Sequence, residues 1–140
     1  MKSKLFLILL LAAVVLSCDK VENVHKKLTG VWTITSYTFL NSNSLTYYYP
    51  ADGTMSFGSC GSAICNYNLN LKYEAQGILQ EKINRGTMDF VDDEYFLMHR
   101  ENSDGSISLI EYARVILLTK DDLKIAFTDE YGAHELVLYK

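Results

Sequence analysis

The stretch "NYNLNLKY" at 66–73 alternates without a break: Tyr67, Leu69, Leu71 and Tyr73 fall on one side of an extended chain, and Asn66, Asn68, Asn70 and Lys72 on the other. A two-residue period points successive side chains to opposite faces of a strand, so this segment must bury one face and wet the other. The period recurs in "DLKIAF" (Leu123, Ile125, Phe127) and, in shorter form, at Met55 with Phe57, Met88 with Phe90, and Leu136 with Leu138. Turn-forming clusters are read at "ADG" (51–53), "NRG" (84–86), "NSDG" (102–105) and "DEYG" (129–132). Short alternating strands separated by turns at intervals of about 8–12 residues predict an all-β sandwich or barrel. Pro50 is the only proline, so little interrupts them.

The N-terminus follows another rule. Lys2 and Lys4 precede an uncharged apolar run from Leu5 to Leu16, and Ser17 and Cys18 close it. A positive start, a short apolar run and a small residue mark an export signal, and the run falls short of the ~20 residues that span a bilayer. Val15-Leu16-Ser17-Cys18 resembles the lipobox of bacterial lipoproteins, which implies cleavage before Cys18 and lipid on that cysteine. One acyl chain anchors only marginally, and stable attachment takes at least two hydrophobic signals at ~0.8 kcal/mol per buried methylene. The resemblance therefore places the protein in the cell envelope of a bacterium, lipid-anchored to a membrane, the outer one favoured. The reading divides the chain into a signal peptide (1–17), a lipidated tether with a short helical turn (18–27) and a barrel domain (28–140). Val21, Val24 and Leu28 share helical spacing at the end of that tether.

With Cys18 as the anchor, Cys60 and Cys65 in "CGSAIC" are left as a potential disulfide in an oxidising compartment. Closing so short a loop contributes roughly 2 kcal/mol by chain entropy. Two buried free thiols are the alternative. Neither cysteine has a partner at zinc-ligand spacing.

Without residues 1–17 the 140-residue chain leaves 123 residues (140 − 17), enough for one modest core. The segment removes two of 13 basic residues and none of 17 acidic ones, so the remainder carries 11 − 17, or −6. That charge disfavours nucleic acid as a partner.

In "LTGVWTITSY", Leu28, Gly30 and Trp32 follow the helical turn and open the first strand. This order resembles the Gly-x-Trp start of lipocalins, and the chain as a whole is similar to short lipocalin-like lipoproteins of Gram-negative bacteria, with a "DGT" hairpin at Asp52-Gly53-Thr54 and an ending like "ILLTKDDLKIAFTDEYGAHELVLYK". The resemblance implies an antiparallel up-and-down barrel of about eight strands. Gly30 would then turn the backbone from plug to strand, and Trp32 would fill the barrel end. It also implies an arginine from near the last strand packed over Trp32. Residues 123–140 contain no arginine, which leaves Arg114 as the nearest candidate.

No catalytic constellation is legible, and no cofactor or metal is expected. His25, His99 and His134 lie in three separate segments and read as surface or locally satisfied. Ser59 and Ser62 lack the flanking glycines of a nucleophile elbow, since Phe57 and Ile64 occupy those places. Asp89, Asp92, Asp93 and Glu94 lack the ligand spacing of a calcium loop and read as a solvated turn. An enzyme is therefore not expected. Binding has more support: ten tyrosines are many for this length, and each offers an apolar body with a polar tip. Tyr47, Tyr48 and Tyr49 cannot all face inward. Tyr112, Arg114 and Ile116 share a strand face, and if that face is interior Arg114 must meet a partner or an anionic ligand. Tyr67 and Tyr73 join Tyr112 and Arg114 as candidate ligand contacts. Trp32, Phe57, Tyr67, Leu69, Leu71, Tyr73, Phe127, Leu136 and Leu138 are the expected inward positions, and a short barrel so lined fills itself, leaving any pocket small and near one mouth. Two functions follow: a carrier of one small amphipathic molecule, or an accessory lipoprotein acting through contacts with an envelope protein or a glycan.

Overall fold

The computed structural model describes residues 21–59 and 64–140, with only the backbone of Leu109, Ile110 and Glu111. The expected signal segment, Cys18 and Cys60 lie outside the described residues. A two-turn helix, α1 (21–28), leads into eight strands: β1 (Gly30–Asn41), β2 (Thr46–Phe57), β3 (Ile64–Ala75), β4 (Ile78–Phe90), β5 (Tyr95–Glu101), β6 (Ile107–Leu118), β7 (Asp122–Asp129) and β8 (Gly132–Tyr139). Each strand pairs antiparallel with the next, and β8 returns to β1 to close the barrel. Closure removes the open sheet edges that a set of alternating strands would otherwise expose. Among the described residues no helix is long and apolar enough to cross a membrane.

Every inward position expected from alternation is found on the inner face. Trp32, Leu71 and Leu136 are fully buried, and Tyr67, Leu69 and Leu138 nearly so. Alternation survives because bulges absorb the irregularities. One residue, Thr35, is extra on β1 against β8, and the register also slips at Met98/His99 and Val115/Leu117. Such bulges bend and twist the strands, which a closed barrel needs.

Two expected turns are not turns. Asp52-Gly53 lies inside β2, opposite Lys72 and Leu71, and the "NRG" at 84–86 lies inside β4. The "DGT" hairpin expected from the resemblance is thus a mid-strand kink. Gly53 has a φ of +126°, and a Cβ there would collide with the Asn70 carbonyl. At Gly86 a Cβ would collide with the carbonyl of His99. Both glycines let a neighbouring backbone approach closely, a demand that local turn chemistry does not announce. The clusters at 102–105 and 129–132 do join strands.

The helix seals one end. Leu28 is fully buried, Val21 and Val24 pack on the core, and the His25 ring meets Phe90 edge-on at 4.3 Å. Gly30, at φ +123°, turns the chain from helix to strand. Trp32 donates from Nε1 to the Leu28 carbonyl at 2.7 Å, which ties strand to plug. The cation over Trp32 is Lys140, not an arginine: its Nζ lies 4.4 Å from the ring centroid and donates to the Lys27 and Thr29 carbonyls at 2.9 and 3.0 Å. A single ammonium thus serves the indole face and the carbonyl end of α1, where positive charge is favoured.

Candidate functional site

The opposite end of the barrel, the mouth, is lined by different side chains. The inner faces of β1, β2, β3, β7 and β8 bring Tyr37, Phe39, Tyr47, Tyr49, Tyr73, Phe127 and His134 there. Their rings form a continuous cluster. Tyr37 lies 4.8 Å from Tyr73 and 5.7 Å from Tyr49, Tyr49 lies 5.1 Å from Tyr73, and Phe39 stacks near Tyr47 at 6.3 Å. The His134 imidazole sits between Phe39 and Phe127, each at 4.9 Å and nearly parallel to it. These separations are those of offset-stacked and tilted aromatic pairs. Phe39, Tyr49 and Tyr73 remain partly exposed, so the cluster meets solvent as well as core.

A polar chain runs through the rings. The Tyr37 hydroxyl and His134 Nδ1 are 2.8 Å apart, and His134 Nε2 lies 2.9 Å from Asp129 Oδ1 although the ring N–H does not point along that line. Burial, the charges of Tyr73 and Asp129 and then that of Tyr49 push the Tyr37 phenol far above its ordinary value. Tyr37 therefore keeps its proton and donates it to Nδ1, which leaves the imidazole proton on Nε2, the nitrogen nearer Asp129. Burial holds His134 below the usual histidine range, against the raising effect of Asp129. For Asp129 burial acts upward, but the His134 contact, the Tyr131 backbone N–H and the charges of His134 and Lys82 outweigh it and hold the carboxyl below its usual value. Lys82 reaches from β4 to Asp129 Oδ2 at 3.3 Å, with its Nζ 5.9 Å from the centre of the Phe127 ring. This ion pair links β4 to the end of β7 across the mouth. The carboxylate–imidazole–hydroxyl order is not that of a nucleophile: the hydroxyl is a phenol made less acidic by its surroundings.

Of the four residues expected to touch a ligand, only Tyr73 belongs to this mouth. Tyr67 lies deep in the core at 1% exposure, opposite Gly86. The interior placement of Tyr112 and Arg114 is not found. Tyr112 is 70% exposed, and Arg114 faces outward, bonded to Glu94 at 3.1 Å and lying over the Tyr95 ring at 5.3 Å. Ala113 and Val115 fill the inner face of β6 instead, one residue out of phase with the expected pair. His134 is no surface histidine, and its signal was its parity with Leu136 and Leu138. Phe127 and Asp129 likewise continue the inward parity of Leu123 and Ile125. Of the three tyrosines in succession, Tyr48 is the outward one, 78% exposed. Of the acidic cluster, Asp89 lies inside β4, opposite Ile64 and Leu97, and the other three form a turn: Asp92 Oδ1 accepts the backbone N–H groups of Glu94 and Tyr95 at 2.8 and 2.7 Å.

On the outer wall a depression of about 460 Å³ runs over β3, β4 and β5, lined by Asn66, Asn68, Thr87 and His99 and crossed by the Arg85–Glu101 ion pair at 3.1 Å. The Gly86 backbone forms part of its floor.

No protein-family model and no curated protein matches this chain in sequence. Two solved structures are similar in fold. One is a redesigned beta barrel, 13% identical, with a TM-score of 0.50 over 84% of this chain and 94% of that one. The other is a de novo designed fluorescence-activating beta barrel, 12% identical, with a TM-score of 0.51 over 84% of this chain and 96% of that one. At such identity the likeness concerns the path of the backbone alone.

Proposed function

We propose that this barrel is a binding module of the bacterial cell envelope, anchored through lipid on Cys18, that takes one small amphipathic molecule at the mouth remote from α1. The observation that carries the reading is the half-buried ring cluster around Tyr37, Tyr73 and His134. Five strands deliver aromatic or imidazole rings there, with hydroxyl, imidazole, carboxylate and ammonium groups among them. An end that served stability alone would be shut from water, as the helix end is by α1 and Trp32, whereas here rings and polar groups meet solvent together. The proposed role is binding rather than catalysis.

Displacement of the neutral dye N-phenyl-1-naphthylamine by envelope extracts tests the mouth. Tyr73→Ala is expected to weaken dye binding severalfold, while Tyr112→Ala on the outer wall leaves it unchanged. Equal effects, or no bound dye, would refute the reading. The anchor is tested separately by intact mass spectrometry, which should show a mature chain beginning at a lipid-modified Cys18, and by Cys18→Ala, which should leave the membrane fraction.

A second reading rests on the outer face of β4, where Leu79 and Ile83 are 72% and 66% exposed. Apolar side chains grouped in this way suit contact with another envelope protein. Crosslinking in cells from position 79 or 83 to one protein, abolished by Leu79→Glu, would favour this accessory role.

A further inference from the structure

The proposed anchor constrains how the barrel can meet its membrane. Residues 18–20 alone separate Cys18 from Val21, where α1 begins, and three residues span at most about 10 Å. α1 closes the helix end, with Val21 and Val24 packed on the core. The mouth lies farther off: β1 has 12 residues, and strands tilted as in a closed barrel carry it about 30 Å along the axis. Lipid on Cys18 therefore holds the helix end at the bilayer. The tether by itself permits two poses, a barrel standing on that end and a barrel lying on its wall.

Exposed apolar side chains decide between them. Val31, Ile64, Val91, Ile116, Leu117 and Tyr139 are 47% to 62% exposed, and each lies within two residues of a strand terminus at the helix end. They belong to β1, β3, the β4–β5 turn, β6 and β8, so they ring the barrel at one level. A barrel on its wall would cover only those of neighbouring strands, whereas a flat surface meeting the end covers them all. The mouth rim is apolar too, with Leu45, Ile107 and Tyr131 exposed, so apolarity alone does not choose the end; the tether does. Inside the ring the outer face of α1 is polar, with the Glu22–Lys26 ion pair at 2.7 Å. A polar centre and a rim tyrosine suit the headgroup layer rather than the acyl chains. Asp92, Asp93, Glu94, Asp121 and Asp122 outnumber Lys120 and Lys140 in the turns and terminus around it, so anionic lipid is not the attraction. We infer that the helix end seats end-on in the headgroup layer of the membrane that holds the anchor, through this apolar ring, and that the mouth opens away from the bilayer. The inference rests on the Cys18 anchor and adds the surface that meets the lipid.

Photocrosslinking from p-benzoylphenylalanine tests it in the full chain, in envelope membranes of the producing cells. Positions 31 and 91 lie on opposite sides of the helix end, 45 and 131 at the mouth, and 83 on the wall. All are exposed, so the substitutions leave the core untouched. On irradiation both 31 and 91 should form phospholipid adducts, severalfold more than 45, 131 or 83. Adducts at 83 and 91 without 31 would show a barrel lying on its wall and overturn the end-on pose. Equal yields at every position would overturn it as well, and adducts to a protein at 31 and 91 would overturn it in favour of a partner protein. In reconstituted vesicles, phosphatidylcholine alone should give the same pattern as its mixture with phosphatidylglycerol. A pattern that needs the anionic lipid would overturn seating by apolar contact. Intact mass of the same samples separates two failures. Lipid on Cys18 without adducts at both 31 and 91 overturns the pose and leaves the anchor, whereas a chain with no lipid there overturns both.

Discussion

At the helix end Trp32, Phe57 and Phe96 are at most 2% exposed, whereas at the mouth Phe39, Tyr49 and Tyr73 each keep part of the ring in water. The same strands supply both sets, so the difference lies in what each end was given to close it. The helix end has a plug, an indole hydrogen-bonded to that plug, and Lys140 over both. Among the described residues the mouth has no plug, only rings and a Lys82–Asp129 tie across it. A barrel this narrow can be completed by side chains alone, and this one does so fully at one end only. The comparison teaches where stability and binding should separate: substitutions at the plug should act on folding, and substitutions at the mouth on ligand.

Trp32→Ala should have the largest effect, destabilising by about 3–5 kcal/mol through the cavity it leaves. That is a large part of a typical domain's ~5–15 kcal/mol. A denaturant midpoint shifted only slightly would break the assignment of the helix end as the structural end. Next comes the proposed Cys60–Cys65 bridge, at the same end, since β2 finishes and β3 begins beside the plug. Its reduction should cost roughly 2 kcal/mol. Recovery of both cysteines as freely alkylated thiols from the native protein would remove that staple from the picture.

Acidification probes both ends, because each holds a histidine that burial depresses: His25 on the plug and His134 in the mouth. A depressed histidine binds its proton more weakly when folded than when unfolded, so stability is full above the unfolded value near 6.5 and declines as pH falls below it. Asp129, also depressed, adds a loss at lower pH, as the medium falls from its unfolded value through its folded one. His134→Gln and His25→Gln should each flatten the pH 5–7 slope of the melting temperature. If His134→Gln alone does so, the acid-sensitive end is the mouth.

Lys140→Ala should cost only about 0.5–1 kcal/mol, since the ammonium is solvent-exposed where it caps Trp32 and α1. Fraying of residues 21–28 in hydrogen exchange would be its clearest sign, and unchanged protection of the Trp32 indole N–H would count against the cap. The smallest effect on stability is expected for Tyr73→Phe, which keeps the ring and removes one hydroxyl. Its melting temperature should stay within a degree or two of wild type by the scale of exposed substitutions. A large drop would mean that the mouth, too, is a structural plug.

Much of the architecture was legible in one dimension. Period-two alternation over residues 66–73 and 123–127 marks the inner face correctly, because a pleated chain must put those side chains on one side whatever it pairs with. Val21, Val24 and Leu28 likewise foretell the plug, and Gly30 and Trp32 its junction with β1. The mouth was legible in part: His134 keeps the parity of Leu136, but parity says only that a side chain points inward, not that six further rings will meet it there. Arg114 shows the opposite error. Its face looked able to be either interior or exterior, and only the pairing of β6 with β5 and β7 sets Ala113 and Val115 inside.

Local sequence therefore determined most of the strands and, where alternation is clean, their wet and dry faces, since these follow from side-chain period. Tertiary structure decided the rest. Whether Gly53 and Gly86 end a strand or bend it depends on how near the neighbouring backbone comes, and that distance exists only once the barrel is closed. The same holds for Lys140 on Trp32, 108 positions apart in sequence (140 − 32), and for His134 on Tyr37. Their surroundings are assembled by strands that meet only through closure, and no spacing along the chain encodes such a meeting.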